Sequence, residues 1–86
     1  MLDLREYLGT ITAYNSGKGA ASMLLDGALR CGDRIIVVDE CGVQLELEVQ
    51  WMQWGNAWVH LALRGWMVTF PSSEKLPAGA KVYRAA

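Results

Sequence analysis

The stretch Val43-Gln44-Leu45-Glu46-Leu47-Glu48-Val49-Gln50 decides the fold class, because its apolar and polar residues alternate without a break. Side chains of a β-strand point alternately to the two faces of a sheet, so Val and Leu share one face and Gln and Glu share the other. This period of two predicts a strand that is buried on one side only. Glu46 and Glu48 lie on the polar face, and we interpret them as solvated residues rather than as a catalytic carboxylate pair.

Similar short segments occur on both sides of this strand. They are rich in β-branched and aromatic residues and are bounded by Gly, Asn, Asp or Pro, which is typical of strands joined by tight turns. The predicted strands are Tyr7 to Tyr14, Ala20 to Leu25, Asp33 to Asp39, Val43 to Gln50 and Ala80 to Arg84. The first two are separated only by the turn-forming residues Asn15 to Gly19, so we expect them to pair.

The spacing of these strands indicates an all-β chain, and 86 residues are enough for one core, so we expect a single domain over residues 1–86. An open sheet would leave long unpaired edges. The pattern therefore favours a small closed or nearly closed antiparallel β-barrel of six or seven strands. The residues expected to face its interior are Ile11, Met23, Leu25, Ile35, Val37, Leu45, Leu47, Val49 and Val82.

Composition limits the possible partners. The formal net charge is −1, so the chain lacks the positive field of a dedicated nucleic-acid binder, and any RNA contact would be local. Fifty-one of the 86 residues are apolar when glycine is counted and tyrosine is not, which is more than a small core is expected to absorb. This surplus predicts association with a protein partner or with a second copy.

The sequence offers no complete catalytic, metal or cofactor site. Cys31 and Cys41 form one pair without clustered histidines, which is too few ligands for zinc. His60 is the only histidine, and no serine precedes a helix as a nucleophile would. The residues Ser16 to Gly19 do not match a phosphate-binding loop. We therefore expect a protein that is not an enzyme and that uses no metal and no cofactor.

Two segments bear on localisation. Met1 to Glu6 has neither the basic nor the apolar region of a secretory leader, which favours a cytoplasmic protein with reduced thiols. Trp51 to Phe70 is as long as a membrane span, but polar residues and two glycines interrupt it. We therefore expect no contact with a membrane.

Six short motifs occur in a fixed order between Leu8 and Ala86. They are Leu8-Gly9-Thr10-Ile11-Thr12-Ala13-Tyr14; Gly19-Ala20-Ala21 through Leu25; Leu29-x-x-Gly32-Asp33-x-Ile35; Val49-x-x-Met52-Gln53; Ala62-x-x-Gly65-x-x-Val68; and Pro77-x-Gly79-x-Lys81-Val82-Tyr83. This ordered set resembles the β-barrel of domain two of translational GTPases such as elongation factor Tu. Within that superfamily it is most similar to the barrel at the C-terminus of collagenase-like peptidases.

The resemblance implies a barrel but not the chemistry of these relatives, which carry their GTP site or catalytic residues in a separate domain. We expect no GTPase or peptidase activity in these 86 residues. Some relatives of the peptidases act in RNA hydroxylation, and the elongation factor Tu barrel helps to hold the aminoacyl end of a transfer RNA. The resemblance thus implies an RNA end as the first ligand to test, although none of that site's residues is matched here.

The four tryptophans are the candidate binding residues, and all lie between positions 51 and 66. A barrel this small cannot enclose four indoles as well as its aliphatic residues, so we expect one or two of them at the surface. They could cap the barrel ends, form a protein interface or provide a stacking platform for a flat ligand. The candidate residues for an interface or ligand site are Trp51, Trp54, Trp58, His60, Arg64 and Trp66.

Three functions follow from these residues, the third being an enzyme whose site forms only in an oligomer. The first is a stand-alone, non-catalytic interaction module that docks a protein partner or its own copy. The second is a weak binding module for an RNA end or a small aromatic or anionic ligand. The second assumes that the segment Ala57 to Leu61 is extended, so that Trp58 and His60 project from one side of it with Arg64 nearby and a planar anionic group could stack and pair.

Overall fold

The computed structural model describes residues 6–85, which form ten β-strands. The strands are β1 (Tyr7–Asn15), β2 (Ala20–Leu25), β3 (Leu29–Arg30), β4 (Arg34–Val38), β5 (Gln44–Glu48), β6 (Met52–Trp54), β7 (Ala57–Val59), β8 (Leu61–Ala62), β9 (Met67–Pro71) and β10 (Lys81–Arg84). Within this range there is no helix of the length and hydrophobicity that crossing a bilayer requires. The leader prediction for residues 1–5 lies outside the described residues, as do both ends of the predicted domain over residues 1–86.

The strands form two antiparallel sheets, which confirms an all-β fold. The larger sheet has eight strands in the order β5-β4-β10-β1-β2-β9-β6-β7, and β3 pairs with β8 in the smaller one. The hairpin predicted between the first two strands is present, with Ile11 opposite Met23. Ten strands replace the predicted six or seven because the tryptophan-rich region is divided into short pieces. Across residues 6–85 no pairing joins β5 to β7, so the larger sheet is not closed.

Both sheets contribute to one core, because Leu29 on β3 and Ala62 on β8 are buried in the same cluster as residues of the larger sheet. Seven of the nine residues predicted to face inward are buried: Ile11, Met23, Leu25, Ile35, Val37, Val49 and Val82. The other two, Leu45 and Leu47, are half-buried and pack against the core. Alternation along the strands therefore identified the inner face, except at Val43, which precedes β5 and is exposed although the pattern put it on the buried side.

The region after β5 differs from a regular strand. Val49 and Met52 are three residues apart, yet both are buried, since the chain leaves strand conformation between them. Further on, the extended segment predicted over Ala57 to Leu61 is divided between β7 and β8, with a bend at His60. This bend carries the chain from the larger sheet to the smaller one.

Arg84, the last residue of β10, ties that strand to the turn before β4. Its guanidinium donates to Asp33 Oδ2 at 2.6 Å, to the Ala28 carbonyl at 2.7 Å and to Glu6 Oε1 at 3.1 Å. Asp33 Oδ2 also accepts a hydrogen bond from the backbone N–H of Arg30. Burial lowers the pKa of Arg84, but the hydrogen bonds with the carboxylates of Asp33 and Glu6 raise it, and the net change is upward.

Replacing Asp33 with asparagine should therefore lower the free energy of unfolding by about 1–2 kcal/mol, because charge-assisted hydrogen bonds are stronger than neutral ones. The control is Asp26→Asn, which removes a carboxylate from an exposed pair with Arg64 at 3.5 Å and should cost less than about 0.5 kcal/mol. Urea denaturation of the two variants tests this difference. Equal losses would show that the Asp33 carboxylate contributes no more than a surface charge.

Candidate protein-interaction surface

The β6–β7 hairpin positions two of the four tryptophans. Its two-residue loop is Gly55-Asn56, and Gly55 has φ +61°, the left-handed value that the first loop position of a type II′ turn requires. This turn sets Trp54 opposite Ala57 and Gln53 opposite Trp58. Since β7 is the last strand of the larger sheet, Trp58 lies on an edge strand.

The four indoles form two separate pairs. Trp51 and Trp58 meet edge to face, with ring centroids 5.2 Å apart and an interplanar angle of 71°. Trp54 and Trp66 are stacked, with centroids 3.7 Å apart and an angle of 8°. The edge-to-face geometry is one that aromatic pairs prefer, and in both pairs the ring contact restricts the rings to defined orientations.

Each pair has one member that is more exposed than the other. Trp66 is half-buried and packs against the core, while its partner Trp54 is 45% exposed. Trp51 is half-buried, and its partner Trp58 is 67% exposed. The prediction that one or two tryptophans lie at the surface is thus confirmed, and the half-buried member supports the exposed one in each pair.

Four further apolar residues, which the sequence did not single out, are exposed: Leu24, Leu61, Leu63 and Met67. Leu24 on β2 lies directly opposite Met67 on β9. A signal for Leu24 was available, because Met23 and Leu25 point inward and alternation turns the residue between them outward. Leu24, Met67 and Trp58 share one face of the larger sheet, because the cross-strand pairs Ser22–Thr69, Thr69–Gln53 and Gln53–Trp58 connect their strands. We call these three residues the tryptophan surface. Trp54 follows Gln53 on β6 and therefore points to the opposite face.

The polar candidates of the sequence have separate positions. His60 is exposed at the bend after β7, and its backbone carbonyl accepts a hydrogen bond from the N–H of Cys31 at 3.0 Å. Arg64 lies in the turn before β9, where its Nε is 3.5 Å from Asp26 Oδ1. Because the strand ends before His60, alternation no longer sets His60 and Trp58 on one face, and Asp26 offsets the charge of Arg64.

Metal-ligating groups are not clustered in the part of the chain that the structure describes, residues 6–85. Cys31 is half-buried and its Sγ lies 3.5 Å from the Val59 carbonyl, to which it donates, whereas Cys41 is exposed. Both thiols are free. The chemistry that this region offers is therefore contact through apolar and aromatic side chains.

No known family model and no curated protein matches this chain. Its fold is similar to that of the C-terminal domain of a Geobacillus thermoleovorans protein described as a U32 peptidase, with a TM-score of 0.87 and 15% identity over 100% of this chain and 99% of that one. The selenomethionine variant of that domain gives 0.86 and 16%, over 92% of this chain and 99% of that one. At these identities the likeness concerns the fold, which is that of a domain at the C-terminus of a collagenase-like peptidase.

Proposed function

We propose that this protein is a non-catalytic interaction module that binds a protein partner or a second copy of itself through the tryptophan surface. One observation carries the proposal. Three of the large hydrophobic residues that are exposed in residues 6–85, Leu24, Trp58 and Met67, share one face of the larger sheet, and Trp58 is the most exposed of them. Burying apolar area of this kind on a partner is the usual driving force of association.

The character of the surface supports a protein as the partner. Tryptophan is enriched among the residues that contribute most to binding between proteins, and such residues work best when neighbouring contacts hold them in place. Trp58 has that support from Trp51. A rigid aromatic side chain loses little conformational entropy on binding, so most of its contact energy is retained.

The fold supports a module that serves another protein or domain. The similar structures are C-terminal domains of a larger protein described as a peptidase, and we propose that this chain, like them, is not the catalytic part.

We further propose a nearly closed barrel of the type found in domain two of elongation factor Tu. Two backbone hydrogen bonds support this barrel. The N–H of Cys31 on the β3 side donates to the His60 carbonyl, and the N–H of Gly65 donates to the Leu25 carbonyl on β2. They connect the region around β8 to β3 and β2. The free thiols agree with the proposed cytoplasmic location.

Weak binding of an RNA end is the second candidate, and the exposure of Trp58 favours it. A base could stack on that indole, typically contributing about 1–3 kcal/mol. The ion pair with Asp26 makes Arg64 a weaker ligand for phosphate. A raised ratio of absorbance at 260 nm to that at 280 nm in the purified protein would favour this candidate over the protein partner.

The experiment that tests the proposed interface compares Trp58→Ser with Val43→Ser, two variants that each remove an exposed apolar side chain. We expect the wild type to associate at about 100 µM, a concentration at which micromolar affinity is visible. Trp58→Ser should weaken association about thirtyfold, as loss of a central interface residue does, because it costs about 2 kcal/mol. Val43→Ser should leave association unchanged. Size-exclusion chromatography with light scattering measures all three proteins.

Two results would contradict the proposal in different ways. A wild type that is strictly monomeric would exclude the second copy as the partner, and the same variants would then be compared for capture of a protein from the native host. Equal behaviour of Trp58→Ser and Val43→Ser in both assays would remove the tryptophan surface from consideration.

A further inference from the structure

The free edge of β5, at the opposite end of the larger sheet from β7, has a row of unpaired backbone groups. Asp39 N donates to Val43 O, and Val49 N donates to Asp33 O. Because hydrogen-bonded pairs alternate along an antiparallel ladder, these two bonds direct the backbone of every second residue of β5 toward β4. The remaining residues, Gln44, Glu46 and Glu48, direct their N–H and C=O groups away from the sheet, where the described residues offer no partner strand.

Two clefts lie along this edge. One has a volume of about 300 Å³ and is bounded by Gln44 and Leu45 on one side and by residues 74–77 on the other. The second, of about 450 Å³, lies between residues 46–48 and residues 71–73. The opposite wall does not pair with β5. Pro71 ends β9, which pairs with β2, and the backbone N–H and hydroxyl of Ser72 donate to the carbonyls of Gly19 and Glu74 respectively. An extended backbone therefore has room to enter beside β5.

The acidic side chains around the clefts outnumber the basic ones, and Arg34 offsets part of the charge of Glu46 and Glu48. Four acidic side chains line them together with one lysine: Asp39, Glu46, Glu48, Glu74 and Lys75. On the outer face Arg34 lies 2.7 Å from Glu46 and 3.7 Å from Glu48, and the hydrogen bond with Glu46 raises the pKa of Arg34. The inner face of β5 is apolar, because Leu45 and Leu47 are half-buried against the core.

We propose that the free edge of β5 binds an extended, basic segment of a partner protein by adding it to the sheet as a further strand. The unpaired backbone groups would hold the segment through main-chain hydrogen bonds. Its alternate side chains would be apolar toward Leu45 and Leu47, and basic toward the acidic side of the clefts. A second copy of β5 is a poor occupant, because it would bring the same acidic residues to the junction and like charges on paired strands repel.

The probe is a fluorescein-labelled peptide of alternating lysine and valine, seven residues long, titrated with the full chain while fluorescence polarisation is recorded. We expect saturable binding that weakens as salt is added. The matched peptide with glutamate in place of lysine should bind at least tenfold more weakly. A third peptide, methylated at the backbone nitrogens of alternate residues, should also lose binding, since it cannot donate to the sheet edge.

The decisive protein variant is Glu46→Pro. Proline at this position removes an N–H that points away from β4, so the β4–β5 ladder keeps its hydrogen bonds, and edge strands tolerate proline. The variant should bind the lysine–valine peptide at least tenfold more weakly. Glu46→Gln removes the charge alone and should weaken binding about threefold. The far-ultraviolet circular dichroism and melting temperature of both variants are measured to verify that they fold.

The tryptophan surface provides a control that separates the two proposals. Trp58→Ser should bind the peptide as the wild type does, even if its self-association is lost. The β5 site is rejected if no saturable binding occurs up to about 1 mM peptide, if folded Glu46→Pro binds as tightly as the wild type, or if Trp58→Ser abolishes binding. The last result would assign the peptide to the tryptophan surface instead.

Discussion

Replacing Phe70 with alanine should lower the free energy of unfolding by about 3–5 kcal/mol, the usual cost of removing a buried phenylalanine side chain. Phe70 is fully buried on β9, which lies between β2 and β6 in the larger sheet. The truncation would leave a cavity among side chains from several strands. For a domain of this size the loss is a large part of the total stability.

The control for this prediction is Phe70→Leu, which keeps most of the buried volume and should cost about 1.5 kcal/mol or less. Both variants are compared with the wild type by urea denaturation at equilibrium. A loss below about 1.5 kcal/mol for Phe70→Ala would mean that the core closes around the missing ring and that β9 is not held as the structure indicates.

Gly9→Ala should lower the free energy of unfolding by about 3 kcal/mol, because there is no room for a methyl group between β1 and β2. A Cβ atom on Gly9 would overlap the carbonyl oxygen of Leu24 and lie 3.1 Å from Cγ of Met23. The overlapping atom belongs to the backbone of the paired strand. It can therefore move only if the two strands separate.

Gly17→Ala is the matched substitution for Gly9→Ala. Gly17 lies in the exposed loop between the same two strands, and the nearest atom to its added methyl group would be the flexible side-chain oxygen of Asn15 at 3.3 Å. Thermal denaturation should show a change within about 0.5 kcal/mol for Gly17→Ala, as for most surface substitutions. Similar melting temperatures for the two variants would refute the steric argument.

Five strands were predicted closely from the pattern of the sequence. The strand from Ala20 to Leu25 has the predicted bounds, and β1, β4, β5 and β10 differ from the prediction by only one or two residues at their ends. The alternation is clear in β5, because water contacts one face and burial on the other selects apolar residues at every second position. β4 was predicted from its β-branched residues instead, since Ile35, Ile36 and Val37 are all buried.

The region from Trp51 to Phe70 was harder to predict, since apolar residues there occupy both faces. β9 is an example: Val68 and Phe70 are buried, but Met67 is exposed as well as apolar, which hides the alternation. The two-residue strand β3 is too short to show any period. β9 and β3 are each defined by the strand with which they pair, and local sequence does not show which distant segments pair.

The candidate site was predicted in composition but not in arrangement. Four tryptophans in sixteen residues indicated an exposed aromatic surface, and Trp54 and Trp58 are indeed exposed. That Trp51 contacts Trp58 depends on the two-residue turn of the hairpin, and that Trp54 stacks on Trp66 depends on the path of the chain through β8. These are tertiary features, so the sequence could not specify them.

The position of β10 has a consequence for how the chain acquires its fold. This strand is the last in sequence, yet it lies inside the larger sheet, between β1 and β4, with Tyr7 opposite Tyr83 and Val37 opposite Val82. During synthesis β1 and β4 emerge before β10, so each lacks this pairing partner until Lys81 to Arg84 leave the ribosome. Contacts between such distant residues also make folding slow, because the loop must close before any hydrogen bond stabilises it. Until then the nascent chain exposes two strand edges on which another nascent chain could pair.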